Sequence, residues 1–227
     1  MKSNVLHIVV AAGSGSRFGA ELPKQFCLMN GIPVVMHAIN ALRRSQTGEV
    51  VLVLSEDMTG LWVDLCAKYG FDSPEIAFGG ATRWQSVKNA IDAFGGDAAV
   101  VSVHDGARPL LSSALIGRLM DAVEQGSPAV IPVVAVTDSL RQVSAAGGNS
   151  AVERRSFRAV QTPQVFDGAL LRRAYSEPES PLFTDDASVV ENIGAEISLV
   201  EGEPTNIKIT HPLDLAVAEL IQNRMRN

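Results

Sequence analysis

The stretch VLHIVV, residues 5 to 10, is apolar at every position except His7. A strand with one face in water alternates apolar and polar residues; this one does not, so both of its faces need cover. Further short apolar runs follow at Val50 to Leu54, Ile76 to Phe78, Ala98 to Val103 and Ala129 to Val136. Between them, residues 33–45, 57–69, 83–94 and 112–125 carry the spacing of amphipathic helices, with Pro33 where a first helical turn tolerates it. The C-terminal third predicts a helix from Thr184 to Asn192, a strand from Glu196 to Val200 and a final helix from Pro212 towards Met225. Doubly covered strands alternating with helices predict an α/β, doubly wound, mostly parallel sheet.

Residues 138–158, "DSLRQVSAAGGNSAVERRSFR", break this alternation. They are polar, with Gly147-Gly148-Asn149 between two strand-like pieces, the pattern of a hairpin with a glycine-containing loop. A lone two-stranded ribbon is marginal in water, so a protruding β-hairpin arm is expected to rest on its own domain or on a second copy of the chain. A surface flap is the alternative.

Composition narrows the function classes. With 46% hydrophobic residues, 227 residues in all and a net charge of −6, the chain reads as globular and argues against a general nucleic-acid binder, while leaving room for a local basic cluster around a small anion. Cys27 and Cys66 lack any CxxC spacing, so no disulfide framework or zinc site is expected and a reducing cytoplasm fits. His7, His37, His104 and His211 never stand at a metal-binding spacing and read as structural. No apolar run nears the ~20 residues that span a bilayer. Met1 to Asn4 lead straight into the first strand, so the expectation is a soluble protein without a signal peptide.

The turn after the first strand reads "AAGSGSRFGAELPKQF" (11–26). Its glycines at 13, 15 and 19 are spaced too widely for a dinucleotide fingerprint, and no strand ending in an acidic residue follows about twenty residues on. A P-loop needs Gly-Lys-Ser/Thr, whereas Lys24 follows Pro23. What remains is a run of glycines that lets amide N–H groups face an anion, joined by the fork of Arg17 and the point charge of Lys24. Phosphoryl and nucleotidyl transfer need that combination, because stabilising charge on the phosphorus oxygens is most of the catalysis. A solvated turn with incidental basic residues is the plain alternative.

Three later segments bear on the same chemistry. "HDGARP" (104–109) follows an apolar strand, which places Asp105 at a strand's carboxyl end, facing the crevice of the glycine loop. A carboxylate there suits Mg²⁺ shared with substrate phosphates; an Asp-Gly turn is the competing reading. "GGATRWQSV" (79–87) joins a strand to a helix, a junction that can read a base through backbone groups with a hydroxyl nearby. Trp84 reads as packing. Thr184-Asp185-Asp186 reads as a helix start, with Thr184 as N-cap and two acids in the first turn, rather than a metal site. Arg43-Arg44 and Arg172-Arg173 read as solvated helix ends.

Together with "QTPQVF" (161–166) and "NIKIT" (206–210), these segments resemble, in order and across nearly the whole chain, the 2-C-methyl-D-erythritol 4-phosphate cytidylyltransferase family. The resemblance implies a Rossmann-like nucleotidyltransferase fold and one cytidylyltransferase domain over 1–227, with the 138–158 arm used in dimerisation. It implies transfer of CMP from CTP to a small phosphorylated polyol, with Mg²⁺ or another divalent cation and without nucleic acid or membrane. Arg17, Lys24, Arg154 and Lys208 are the implied catalytic cations. Ala11, Ala12, Gly13, Gly15, Gly80, Ala81, Ser86, Asp105 and Gly106 are implied at the nucleotide, with Asp105 also at the metal. Arg108, Thr137, Arg154, Thr162 and Lys208 are implied at the acceptor, Arg154 and Thr137 serving the neighbouring subunit if the arm reaches across.

Phe18 stands where many members carry methionine, and Gly106 where many carry alanine. Two other readings stay open: a ribitol 5-phosphate cytidylyltransferase of the same fold, and a non-catalytic nucleotide-binding regulator. "AAG" at 11–13 and "DGAR" at 105–108 fit the methylerythritol group better. The joint presence of Arg17, Lys24, Asp105, Arg154 and Lys208 speaks against a mere binder.

Overall fold

A computed structural model describes residues 4–13 and 22–226. In chain order the strands are β1 (Val5–Val10), β2 (Leu28–Met29), β3 (Ile32–Pro33), β4 (Glu49–Leu54), β5 (Glu75–Phe78), β6 (Val100–Asp105), β7 (Ala129–Ala135), β8 (Arg141–Val143), β9 (Asn149–Ala151), β10 (Arg158–Val160), β11 (Gln164–Asp167) and β12 (Ser198–Glu201). The helices are α1 (Val34–Ser45), α2 (Thr59–Tyr69), α3 (Arg83–Phe94), α4 (Ser113–Glu124), α5 (Gly168–Ser176), α6 (Asp186–Glu191) and α7 (Pro212–Arg226).

Eight strands form the central sheet, in the order β10-β7-β11-β6-β1-β4-β5 with β12 alongside β7. β1 runs parallel to β4 and β6, β4 to β5, and β12 to β7. Both faces are covered, as the unbroken apolar strands demand. Leu6, Ile8, Val51, Val53, Val101 and Val103 pack with Val87, Ala90, Leu171 and Val189 from α3, α5 and α6. On the other face Val9, Leu52, Leu54 and Val130 pack with Ile39, Leu42, Trp62, Leu115 and Leu119 from α1, α2 and α4. Among the described residues, no helix is long and apolar enough to cross a membrane.

The sheet departs from the sequence reading at β10 and β11, which are antiparallel and were not expected. They follow one another along β7. From Val160 to Val165 this chain advances five residues while β7 advances three, from Val133 to Val130. The two extra residues form a bulge between Gln161, whose N–H still bonds Pro132 O at 2.8 Å, and Val165, and the Thr162-Pro163 bond within it is cis. Polar Gln164 and Asp167 bracket a short apolar core here, which hid the strand in the sequence. β6 extends through His104 to Asp105, two residues beyond the expected end, and β12 starts two residues late.

The hairpin is present as the separate ribbon β8–β9, exposed throughout residues 141–151. Its turn closes through Ser144 N–H to Gly148 O at 2.8 Å, with Gly147 at φ +84°. The tail of the 138–158 segment differs from expectation, because Arg158 already belongs to β10. Thr184 is not the cap of α6. Asp185, one residue later, is the N-cap and forms a reciprocal capping box with Ser188, while Asp186 turns into the core. Nor are the basic pairs simply solvated: Arg43 donates to Asp72 O at 2.7 Å, and Arg172 to Gly95 O and Ala98 O at 3.0 and 3.1 Å.

The lone polar residue of β1, His7, is fully buried, with Nε2 at 2.8 Å from the Thr47 hydroxyl. Burial, reinforced by nearby His104, lowers its pKa from 6.5 to about 4. The unfolded chain therefore takes up this proton at a higher pH than the native one. The share of stability that depends on neutral His7 is complete above pH 6.5 and is lost as pH falls towards 4. Urea denaturation across that window should show a loss of about 1.4 kcal/mol per pH unit from this group, and His7→Gln should flatten the slope by that amount.

Candidate active site

The carboxyl ends of β1 and β6 and the start of α3 enclose one cavity. Gln25, buried within the 3₁₀ turn Lys24–Phe26, donates through Nε2 to Ala11 O at 2.7 Å and Gly13 O at 2.9 Å. It thereby fixes the exit of β1 and carries Lys24 beside it. Across the cavity, the 79–82 loop is tied to α3. Ser86 Oγ accepts from Gly80 N–H at 3.1 Å and donates to Thr82 O at 2.8 Å, Gln85 Oε1 accepts from Ala81 N–H at 3.0 Å, and Thr82 caps the helix. A Cβ on Gly79 would lie 2.5 Å from Ala12 Cβ, so only glycine lets the two segments approach this closely. The cavity measures about 440 Å³ and is lined by Ala11, Ala12, Gly13, Lys24, Gly80, Ala81, Arg83, Ser86, Asp105 and Lys208, among others.

A second cavity of about 280 Å³ adjoins it and shares Arg83, Asp105 and Lys208. It continues past Arg108, Gln161 and Thr162 to Gln164, Thr184 and Asp185. Asp105 thus stands at the junction, with three cations around it. Lys208 Nζ is 2.8 Å and Arg108 Nε 3.6 Å from Oδ2, and Arg83 Nε is 3.8 Å from Oδ1. Burial alone would raise the carboxyl's pKa, but the charges of Arg83, Lys208 and Arg108 outweigh it and hold Asp105 well below the usual carboxylate range. Lys208 is delivered by the segment 206–209, strapped down by Asn206 Nδ2 to Thr162 O at 2.9 Å and Ile209 N–H to Ala107 O at 2.8 Å.

Behind Asp105 the hydrogen-bond directions are determined. The carbonyl of Arg108 can only accept, so His104 Nε2, 3.1 Å away, carries the proton. His104 Nδ1 then accepts from the Thr162 hydroxyl at 3.1 Å, and that hydroxyl accepts from Asp105 N–H at 3.0 Å. Burial lowers the His104 pKa to about 4, so the neutral tautomer persists at neutral pH. The chain from Arg108 through His104 and Thr162 sets the backbone of Asp105.

Most of the expected site residues come together. Ala11, Ala12, Gly13, Lys24, Gly80, Ala81, Ser86, Asp105 and Lys208 line the first cavity, and Asp105, Arg108, Thr162 and Lys208 the second. Gly106 is instead a floor residue, bonded through N–H to Val10 O at 2.9 Å and packed against Ala11 and Val35. Arg154, on the arm, and Thr137, just before it, are exposed; Arg154 donates to Thr137 O, and neither lines either cavity of its own chain. Gly15 and Arg17 lie outside the described residues. Two contributors escaped the sequence reading: Gln25, and Arg83, whose partner Asp186 is 103 residues away. Among the described residues, no three His, Cys, Asp or Glu side chains group as a metal cage. Asp105 alone fits a cation that takes one carboxylate and completes its shell with phosphates and water.

The family model described as 2-C-methyl-D-erythritol 4-phosphate cytidylyltransferase matches residues 5–224. The chain is 45% identical over 217 residues to the 2-C-methyl-D-erythritol 4-phosphate cytidylyltransferase of Bacteroides fragilis, covering 94% of this chain and 97% of that one. It is similar to the crystal structure of 2-C-methyl-D-erythritol 4-phosphate cytidylyltransferase from Thermus thermophilus, with a TM-score of 0.74 and 34% identity over 98% of this chain and all of that one. The crystal structure of 4-diphosphocytidyl-2C-methyl-D-erythritol synthase from Anaerococcus prevotii shares the fold, with a TM-score of 0.82, 24% identity, and coverage of 98% of this chain and 97% of that one.

Thr162→Val keeps the side chain's shape but leaves Asp105 N–H and His104 Nδ1 without their partner. Each such buried loss costs about 1–3 kcal/mol. Chemical denaturation should register it, and Thr162→Ser should recover most of it.

Proposed function

The chain belongs to the 2-C-methyl-D-erythritol 4-phosphate cytidylyltransferase family, and we propose on that footing that it transfers CMP from CTP to 2-C-methyl-D-erythritol 4-phosphate in isoprenoid biosynthesis. The observation that carries this reading is the pair of adjoining cavities with Arg83, Asp105 and Lys208 in their common wall. One cavity takes the nucleotide, the other the acceptor, and their phosphates meet at the wall.

An oxygen of the acceptor phosphate attacks the α-phosphorus in line. A new P–O bond forms, the bond to the β-phosphate oxygen breaks, and pyrophosphate leaves. The nucleophile is already an anion, so no base is required. The barrier lies in bringing two anions together, and cations held in place lower it. Lys24, with Arg17 from the glycine loop, serves the α-phosphate; Lys208 and Arg108 serve the acceptor. Asp105 would hold a divalent cation such as Mg²⁺ together with the triphosphate, and that ion would supply further charge neutralisation. The amides of Gly80 and Ala81 are committed to Ser86 and Gln85; what these residues offer a base is carbonyl oxygen, which suits the donor amine of cytosine.

The same reading makes the molecule a cytoplasmic homodimer. Its free thiols, Cys27 and Cys66, suit a reducing compartment. The β8–β9 ribbon and Phe157 are exposed, and a bare ribbon of this kind gains stability by packing on a partner. Arg154 and Thr137 would then complete the acceptor cavity of the neighbouring subunit, since they line neither cavity of their own.

Pyrophosphate release with CTP is the direct test. Turnover is expected with 2-C-methyl-D-erythritol 4-phosphate and not with ribitol 5-phosphate; the opposite preference would overturn the acceptor assignment, and CTP binding without turnover on either would point to a regulator. Lys208→Ala should lower kcat/KM by about 10²–10³-fold. Mixing Arg154→Ala and Lys24→Ala chains should restore part of the activity each lacks alone. No recovery in a verified heterodimer would place Arg154 in its own subunit's site.

A further inference from the structure

Arg83, the first residue of α3, lines both cavities, yet its guanidinium is not offered to them as an open fork. Nη1 and Nη2 donate to Asp186 Oδ1 and Oδ2 at 2.9 and 2.6 Å, a bidentate pair. Asp186 is fully buried and accepts a further hydrogen bond, at 2.7 Å, from the hydroxyl of Tyr175, itself buried. Tyr175 in turn stacks on Trp84, with ring centroids 5.5 Å apart. Burial and the neighbouring Asp186 raise the Tyr175 pKa well above its ordinary value, so the phenol keeps the proton it donates. What the arrangement leaves turned towards the cavities is the Nε side of the guanidinium, 3.8 Å from Asp105 Oδ1.

A buried ion pair is poor evidence of stabilisation, because desolvation offsets most of the attraction. A planar fork on a carboxylate that is itself anchored does something else: it removes the rotational freedom of a long side chain and fixes where one positive charge stands. Here that place is the wall common to both cavities. Asp186 and Tyr175 line neither cavity, and the side-chain hydrogen bonds that join them to the cavity wall run through Arg83.

We infer that Arg83 is a further residue of the transfer reaction, a cation held by Asp186 and Tyr175 at the point where the two substrates' phosphates meet. The inference rests on the proposed cytidylyl transfer. Arg83 counters charge that becomes concentrated only when both substrates are in place and the α-phosphorus is under attack. Its loss therefore falls on kcat and kcat/KM together and leaves either substrate's KM little changed. Asp186 and Tyr175 are positioning residues.

The test is a kinetic cycle on the full-length protein, with pyrophosphate release for turnover, calorimetry for CTP binding and thermal unfolding to verify the fold. Arg83→Lys keeps the charge and loses the fork; kcat should fall about 10²-fold with CTP affinity within about twofold. Tyr175→Phe retains the ring on Trp84 and removes one hydroxyl outside both cavities; kcat should fall about tenfold, in line with the sensitivity of such sites to small misplacements. In the Arg83→Lys background the same Tyr175→Phe change should alter kcat by less than about twofold, because the group it acts through is gone. Should Arg83→Lys not fold, the paired change Arg83→Met with Asp186→Leu, which removes both buried charges, takes its place as the background. Equal Tyr175→Phe effects in both backgrounds, no effect on kcat in the native background, or a loss confined to KM would each overturn the inference. Absence of turnover in the unaltered protein would instead sink the reaction on which it rests.

Discussion

A carboxylate in a crevice built for phosphates is unfavourable unless cations outnumber it, and at Asp105 they do. Arg83 comes from α3, Arg108 from the turn after β6, and Lys208 from the segment before α7. Like charges repel through a protein surface, and Asp105 offsets that repulsion for the three cations, as Asp186 also does for Arg83. Asp105 supplies the charge they share. It stands in the wall common to the two cavities, and two of its three cations share its supports: Arg108 O accepts from His104, and Thr162 O accepts from Asn206 beside Lys208.

The sheet explains how Asp105 is held. It ends β6, which lies between β1 and β11. β1 brings Ala11 to Gly13, and the antiparallel β11 brings the bulge whose Thr162 hydroxyl bonds the Asp105 amide. The carbonyl of Thr162 then receives Asn206, which aligns the Lys208 strap. Just after Lys208 in sequence, α7 is tied to the turn between β2 and β3 through Asn30, which bonds Glu219, Gln222 and Asn223. The segments that carry Lys24 and Lys208 are therefore braced against each other by one helix.

What the sequence revealed follows from how local each signal is. β1, β4, α3 and α7 were legible because burial on two faces, or on one stripe, repeats within a few residues. Much of the first cavity's lining was legible for a similar reason: Ala11 to Gly13 with Lys24, and Gly80, Ala81 and Ser86, stand in two short runs of sequence. The antiparallel β10 and β11 were not, because their apolar core is shorter than the pattern that marks a strand. Arg83 was passed over for a different reason. Its meaning depends on Asp186 and Tyr175, and nothing within its own helix announces either. The cap of α6 was misplaced by one residue, since Thr184 and Asp185 are both good caps and only the backbone decides between them. Arg154 and Thr137 line neither cavity of their own chain, so their place in the site rests on the proposed dimer.

The cations differ in how firmly they are held, and that difference suggests the order of events at the site. Arg83 has its terminal nitrogens on Asp186, and Arg108 donates to Asn206 O at 2.8 Å. Both are tied to groups other than Asp105. Lys208 has 43% of its side chain exposed and sits on a flexible stem. A lysine ammonium is a point charge that can exchange partners without losing a planar geometry. It can therefore turn from Asp105 towards an incoming phosphate, with Arg83 and Arg108 still beside the carboxylate. On the proposed reaction, two anchored arginines would keep the field of the site while the more exposed lysine turned to the acceptor, so that a single carboxylate could organise the cleft beforehand and still give up a partner.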